Sequence, residues 1–282
     1  MANIEHLALL KASISVKNSY SAILHKENGN RVNAWLEWRN NHPQIEPDLS
    51  DAYLYALDLR DINLSGVNLS QVNFENTVLL GANLSCANLS GANLRNAILI
   101  EANLTEADFS LADLSGAKLN CADLTNANLI GAKLNQASLK EATLASANLI
   151  GTDLSYANFR NADLGEVKLN RAILCYTNLI EANLIAADLS GANLFEVEGM
   201  GAYLYKANLC NVNLNRAHFT STCLMKADLI NADLTGADLS WSNLRSANFT
   251  GANLQLTNLR GANLFATNFH QANLQETIIP AN

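Results

Sequence analysis

The chain repeats a large apolar residue at every fifth position from Leu49 to Ile279. Of these 47 repeat centres, 39 are leucine and six are phenylalanine, and the other two are Ile279 and Gly199. The residue two positions before a centre is small, alanine in 31 of the 47 units, and the residue directly before it is usually asparagine or aspartate. Because this frame never slips, each five-residue unit is predicted to be one structural repeat.

A period of five fits neither regular secondary structure. An α-helix turns by about 100° per residue, so leucines five apart would wind around its axis. In a flat strand an odd period would place successive leucines on opposite faces. The chain is therefore expected to turn a corner in every unit, and 11 of its 14 glycines lie two residues after a centre, where a tight turn needs positive φ. The pattern predicts a solenoid lined by alanine and leucine, with polar residues outside.

Units such as ANLSG, ADLTN and ANLIG match the signature A-[DN]-L-x-x, and on these residues the chain resembles the pentapeptide-repeat family across residues 49–279. The resemblance implies an all-β fold, a right-handed quadrilateral β-helix with four units per coil and about 12 coils. Residues 20 apart would then be vertical neighbours, and at ~4.8 Å per layer the rod would be on the order of 55 Å long. The expected core-lining residues include Leu84, Leu104, Leu124, Phe159 and Phe219.

Residues 1–46 lack the five-residue pattern and are predicted to form an N-terminal helical cap, with the β-helix occupying residues 47–282. One helix is expected through IEHLALLKAS and another between Asn30 and Pro43. The segment NAWLEWRNNHPQIEPDLSDA resembles the helical lead-in of many cyanobacterial members of the family. Since an open solenoid end exposes its apolar lining and unpaired backbone groups, Trp35 and Trp38 are expected to seal the first coil.

No helix follows the last repeat, which ends in QETIIPAN. Two alternatives are open for this end of the solenoid. Either Ile278 and Ile279 fold over the last coil, or a second chain covers it. The second alternative predicts a homodimer that forms through the C-terminal end.

Composition excludes several classes of function. The net charge of −8 disfavours direct binding of nucleic acid, because phosphate binding needs clusters of Lys and Arg. The odd count of five cysteines favours free thiols over a disulfide framework or a zinc site. No apolar run approaches the ~18 residues of a membrane span, and the start MANIEHLALLKAS does not resemble a signal peptide. A cytoplasmic protein without cofactor or membrane association is expected.

One outward column of the predicted solenoid is apolar with basic neighbours, which suits a protein partner. Arg245 interrupts this column, and the alternative is that its side chains only cover the corners between coils. The residues of this candidate partner surface are Ile185, Tyr205, Met225 and Phe265, flanked by Lys206 and Lys226.

Gly199 stands where the pattern requires a leucine. In one interpretation the missing volume is replaced, either by Phe219 from the next coil or by Met200 turning inward. In the other, residues 196–203 bow outward as a recognition feature. The candidate irregular coil consists of Glu198, Gly199, Met200 and His218.

The sequence favours a non-catalytic interaction or scaffold protein on a rigid solenoid, with another protein as its partner. The alternative is a DNA-mimic inhibitor or protector of a type II topoisomerase, because some family members resemble B-form DNA and bind gyrase. An acidic column formed by Asp61, Glu101, Glu141 and Glu181 favours mimicry, although basic residues interrupt the field. The column of Glu198, His218 and Asp238 could hold a metal ion, but a rod surface has no pocket to exclude water, so no enzyme is expected. The many asparagines are expected to bond to backbone and to one another.

Overall fold

A computed structural model of the chain describes residues 2–17 and 34–280. Its two helices are α1 (Ile4–Lys17) and α2 (Ala34–Asn41). Both were predicted, and the part of that prediction that falls on residues 18–33 lies outside the described residues. The repeat begins with the first bridged residue, Asp48.

Successive layers of the repeat are joined by parallel backbone bridges between residues 20 apart, from Asp48 with Asn68 to Asn258 with Ile278. The bridged residue is always the one directly before a centre. Within residues 34–280 these bridges stay isolated and no continuous strand forms, so the β-structure of the solenoid consists of single bridged residues. The reason is geometric, because each edge of a coil reaches the next corner after one bridged residue.

Every backbone N–H in a typical unit finds an acceptor, as the unit of residues 64–68 shows. Three of its N–H groups donate to carbonyls of adjacent coils at 2.7–2.9 Å, and the Val67 N–H closes the corner onto Leu64 O at 3.2 Å. The fifth, that of Ser65, donates to Asn63 Oδ1 at 3.1 Å. A short side-chain acceptor directly before the centre therefore completes the set of backbone bonds, which explains the Asn/Asp preference.

The same amides and carboxylates also bond to one another along each column. Asn68 Nδ2 donates to Asp48 Oδ1 at 3.0 Å, and Asn213 Nδ2 donates to Asn193 Oδ1 at 2.8 Å. The expectation that asparagines bond to backbone and to each other is confirmed. Where aspartate occupies the position, the hydrogen bond from backbone also stabilises the charged form, and the Ser50 N–H lowers the pKa of Asp48.

The corner residue two positions after each centre, from Asp51 to Glu276, has φ between 50° and 70°. Eleven of these residues are glycine, as predicted, but 35 are not. A left-handed conformation costs an L-residue about 1–2 kcal/mol, so the hydrogen bonds of the coil must impose it. The glycines mark the corner geometry without being required at most corners.

The repeat centres form one continuous apolar core. Of the expected core-lining residues, Leu84, Leu104 and Leu124 have no exposed surface, and Phe159 and Phe219 are also buried. At the C-terminal end the lining becomes accessible, and Ile279 is 61% exposed.

Ile278 does not fold over this end. It continues the coil, because its N–H donates to Thr257 O at 2.9 Å and its carbonyl accepts from Leu259 N at 2.7 Å. The fold-over alternative is therefore wrong, and the homodimer through this end stays a prediction.

The helices contact the first coil through buried and charged side chains. Trp35 has no exposed surface, and its Nε1–H donates to Asn63 O at 2.7 Å. Arg39 donates to the same carbonyl at 3.3 Å and to Ser65 O at 2.7 Å. In later coils the equivalent carbonyls accept backbone N–H groups from the coil before, so these donors replace a coil that is not there. Trp38 is half-buried and stacks on His42, with ring centroids 5.1 Å apart.

Candidate functional site

The predicted partner surface lies along one corner of the solenoid over successive coils. Backbone hydrogen bonds join these corners in order, for example from Ala186 N to Tyr205 O at 2.9 Å and from Lys206 N to Met225 O at 3.0 Å. The same series continues through Lys226 N and Ser246 N, so the side chains are stacked on a rigid scaffold. We call this surface the basic–apolar stripe, and it consists of Ile185, Tyr205, Lys206, Met225, Lys226, Arg245 and Phe265.

The stripe presents apolar surface that is only partly covered by its own cations. Ile185 is 41% exposed and Phe265 is 65% exposed, while Tyr205 is half-buried. Lys206 Nζ lies 5.3 Å from the centroid of the Tyr205 ring. Arg245 was expected to interrupt the apolar column. Instead its guanidinium packs on the column, because its Cζ lies 4.8 Å from the centroid of the Phe265 ring. Cation–π contacts of this kind keep a charge and an aromatic face side by side.

The stripe is also basic on an acidic protein. The five coil edges that carry it hold three basic side chains and no acidic one, although the chain has a net charge of −8. These edges are residues 183–186, 203–206, 223–226, 243–246 and 263–266. The charge of the stripe is therefore opposite in sign to the net charge of the molecule.

A shallow groove adjoins each end of the stripe. The groove at its N-terminal end has a volume of about 320 Å³ and its lining includes two carboxylate residues. The groove at its C-terminal end has a volume of about 480 Å³ and is lined by residues with apolar side chains. The first is lined by Ala145, Ser146, Asp163, Gly165, Glu166, Asn183 and Ile185, and the second by Ala262, Leu264, Phe265, Ile279 and Pro280.

The negative charge of the acidic column that favoured DNA mimicry is reduced by a neighbouring cation and interrupted by a neutral residue. Arg160 lies 4.0 Å from Glu181, the last member of the column. Between two other members stands Cys121, whose Sγ is 3.9 Å from Glu141 Oε2. Desolvation and the nearby carboxylates raise the pKa of this thiol, so it does not add a charge at neutral pH.

The coil around Gly199 does not bow outward, and the interpretation of residues 196–203 as a protruding feature is wrong. Glu198 is bridged to the residue 20 before it and to His218, and Gly199 N donates to His218 O at 2.8 Å. Phe219 occupies the space that a leucine would fill, because a Cβ on Gly199 would lie 2.1 Å from Phe219 Cε1. Met200 does not turn inward, since it is 49% exposed.

A hydroxyl bridge beside Phe219 was not predicted. The Thr222 N–H donates to Ser242 Oγ at 3.0 Å, and the Ser242 hydroxyl donates to Phe219 O at 2.6 Å. At the stacked corners one coil before and one coil after, the corresponding N–H and carbonyl bond directly, from Ala202 N to Gly199 O at 3.1 Å and from Ser242 N to Leu239 O at 3.2 Å. The bulky centre thus coincides with a corner that a buried serine holds together.

The remaining candidates are the column that contains His218 and the five cysteines. His218 is exposed and bridged through its backbone to Glu198 and Asp238. Within residues 2–17 and 34–280, no group of three or more His, Cys, Asp or Glu side chains is arranged to hold a metal ion. All five cysteines are free, as the sequence predicted.

The bridges 20 residues apart, the uniform corners and the leucine lining define a solenoid protein with four repeats in each coil. Its outer surface carries the basic–apolar stripe. The chain belongs to the pentapeptide repeats family, whose profile matches most of residues 48–279, in the segments 48–85, 58–96, 82–120, 122–161, 157–194, 202–240 and 242–279. The family fold is a right-handed quadrilateral β-helix.

Several solved structures are similar to the chain. HetL, from the cyanobacterium Nostoc sp. strain PCC 7120, is a pentapeptide repeat protein involved in the regulation of heterocyst differentiation. It is 31% identical over 86% of this chain and 95% of its own, with a TM-score of 0.33. A trypsin-treated variant of QnrB1, a plasmid-mediated fluoroquinolone resistance protein, is 19% identical over 66% of this chain and 90% of its own, with a TM-score of 0.50. This second likeness concerns the fold alone.

A third similar structure is Rfr23 from the cyanobacterium Cyanothece 51142. It is 33% identical over 38% of this chain and 63% of its own, with a TM-score of 0.20. No curated protein gives a significant match. Neither helix within the described ranges is long and apolar enough to cross a bilayer.

Proposed function

We propose that the protein is a non-catalytic interaction protein whose basic–apolar stripe binds another protein. The observation that carries this proposal is the stripe itself, an exposed column of aromatic and aliphatic side chains flanked by cations. Protein-binding surfaces are enriched in aromatic residues, methionine and arginine, and exposed apolar patches on soluble proteins commonly mark such sites.

Rigidity supports the proposal over the alternative that these residues only cover corners. Backbone hydrogen bonds between coils already fix the stripe, so binding would order few additional groups and would lose little conformational entropy.

The remainder of the molecule serves as the scaffold in this proposal. The rod comprises about 12 coils in residues 47–282, and α1 and α2 in residues 1–46 close its N-terminal end. The contacts of Trp35 and Arg39 with the first coil support this capping role. We place the protein in the cytoplasm.

Site-specific photo-crosslinking tests the proposed binding surface. A benzophenone amino acid at Tyr205 is expected to form a discrete crosslink in extract of the native cell, whereas the same group at Tyr156 is not. Tyr156 is the control because it is an exposed tyrosine at a corner outside the stripe. Excess unlabelled protein should compete for the crosslink, and the variant Tyr205→Ser/Phe265→Ser should not. Equal labelling from both positions would remove the proposal.

The second candidate is a DNA mimic acting on a type II topoisomerase, and the acidic column of Asp61, Glu101, Glu141 and Glu181 is the observation that favours it. The argument against this candidate is that the net negative charge of the protein is too small. The chain has 26 acidic and 18 basic residues, and residues 1–50 hold five of each, so residues 51–282 carry the whole net charge of −8. B-form DNA has about one negative charge per 1.7 Å, or about 32 over a rod of ~55 Å. The net negative charge of the repeat is thus about a quarter of that of B-form DNA of the same length.

We therefore expect no inhibition of gyrase-catalysed supercoiling by the purified protein at micromolar concentration. The weak net field and the pairing of Glu181 with Arg160 are the physical reasons. The assay should include a variant with the basic residues of that face, Arg60, Lys118, Lys140, Arg160 and Arg260, changed to glutamine. Inhibition by the wild-type protein would favour mimicry over the first proposal.

A further inference from the structure

The spacing of the basic–apolar stripe restricts the shape of a partner segment that follows it. From Ile185 to Phe265 there are four coil steps, about 19 Å at ~4.8 Å per step. An α-helix rises about 5.4 Å per turn, so its side chains would drift by only about 2.4 Å over this length. Alternate residues of an extended strand are about 6.6 Å apart and would drift by about 7 Å. A helix that lies along the rod axis can therefore place one side chain on each coil.

The charge of the stripe restricts the composition of that helix. Lys206 and Lys226 stand on consecutive coils beside the apolar column, and both have their Nζ within 6.0 Å of the Tyr205 ring centroid. Residues one turn apart on a helix have nearly the same spacing as the two lysines. Carboxylates at positions i and i+3 or i+4, beside an apolar face, would meet both cations.

The two ends of the stripe favour one direction of the helix. The groove at the N-terminal end contains Asp163 and Glu166, whereas Arg245 lies near the other end. A helix carries partial positive charge at its N-terminus and partial negative charge at its C-terminus. The favourable orientation therefore places the helix N-terminus beside Glu166 and its C-terminus beside Arg245.

We propose that the basic–apolar stripe binds an acidic amphipathic α-helix of about 13 residues from a partner protein, lying parallel to the solenoid axis. This inference rests on the proposed function and specifies the chemistry of the partner. The apolar face of the helix packs on Ile185, Tyr205, Met225 and Phe265, and its acidic flank faces the two lysines.

A displayed library of random 14-residue peptides, selected against the full-length protein, tests this inference directly. Enriched peptides are expected to have apolar residues at a three-to-four-residue period and acidic residues along one flank of that face. They should bind the variant Lys206→Glu/Lys226→Glu at least tenfold more weakly, as measured by fluorescence anisotropy. The control is Lys118→Glu/Lys140→Glu, which reverses two cations on consecutive coils of another face and should bind like the wild type.

Circular dichroism of both variants checks that each keeps the fold. Enrichment of peptides without helical period, enrichment of basic peptides, or equal binding to Lys206→Glu/Lys226→Glu would overturn the inference. So would a selection that yields no binder.

The segment of the partner that is crosslinked distinguishes a failure of the acidic-helix inference from a failure of the proposed protein-binding function. Mass spectrometry of the Tyr205 crosslink is expected to locate an acidic helical segment, with crosslinks from position 185 nearer its N-terminus than those from position 265. A basic or extended segment would overturn the helix and leave the interaction function intact. Absence of any specific crosslink at Tyr205 would remove both.

Discussion

Replacing Gly199 with leucine is expected to destabilise the protein by about 3 kcal/mol, even though leucine is the consensus residue at a repeat centre. The reason is that the Phe219 ring already fills the site, with Cε1 at 2.1 Å from where a Cβ would stand. Gly199 has no positive φ that would need glycine, so volume alone decides the outcome. Equilibrium denaturation in guanidinium chloride measures the change.

The matched variants are Phe219→Leu and the double variant Gly199→Leu/Phe219→Leu. Phe219→Leu leaves unfilled space beside Gly199 and is expected to cost about 1–3 kcal/mol. The double variant restores two ordinary leucine centres, conserves the volume and should lie within about 1.5 kcal/mol of the wild type. The two single effects would then be strongly non-additive, as contacts in one packed site are. A Gly199→Leu protein as stable as the wild type would show that the ring does not fill the site.

This pair of residues also shows how far the sequence determines the core. The missing volume at Gly199 is visible in the five-residue frame, and so is its replacement once residues 20 apart are known to be neighbours. The sequence does not show which candidate replaces it, because Met200 and Phe219 are both large and flexible enough. Packing decides for Phe219, whose ring lies against the glycine, while Met200 remains half exposed.

A corner in every unit was predicted, but positive φ at the corners that have no glycine was not. A glycine is a sequence signal, whereas residues such as Leu111 and Trp241 have positive φ without any local preference for it. Their conformation follows from bonds to the adjacent coils, which no local pattern records. The Ser242 bridge escaped prediction for a related reason, since it joins the Thr222 N–H to the Phe219 carbonyl across two coils.

The candidate interaction site was more accessible to sequence reasoning than either of these features. Once the 20-residue offset is assumed, every outward column can be written down, and an apolar column among polar ones is evident. What the offset cannot give is side-chain direction. In the sequence Arg245 is a charged residue within an apolar column. In the structure its guanidinium lies over the Phe265 ring and joins the aromatic surface.

At the N-terminal end of the rod, Trp35→Ala is expected to destabilise the protein by about 3–5 kcal/mol. The indole has no exposed surface, and its Nε1–H bonds to Asn63 O at 2.7 Å. Its loss would leave a cavity over the first coil, and only the longer bond from Arg39, at 3.3 Å, would remain to that carbonyl. Because neighbouring repeats stabilise one another in a solenoid, the damage should begin at that end.

Hydrogen exchange by mass spectrometry locates this effect along the rod. In Trp35→Ala, amides of residues 49–69 are expected to lose protection first, while residues 129–149 keep theirs. Trp35→Phe keeps most of the packing but removes the donor, and its smaller cost of about 1–3 kcal/mol would isolate the hydrogen bond. Trp38→Ala is the control for a half-buried tryptophan at the edge of the same contact and should cost less than Trp35→Ala. Uniform loss of protection over the whole repeat would contradict a cap that acts on the first coil.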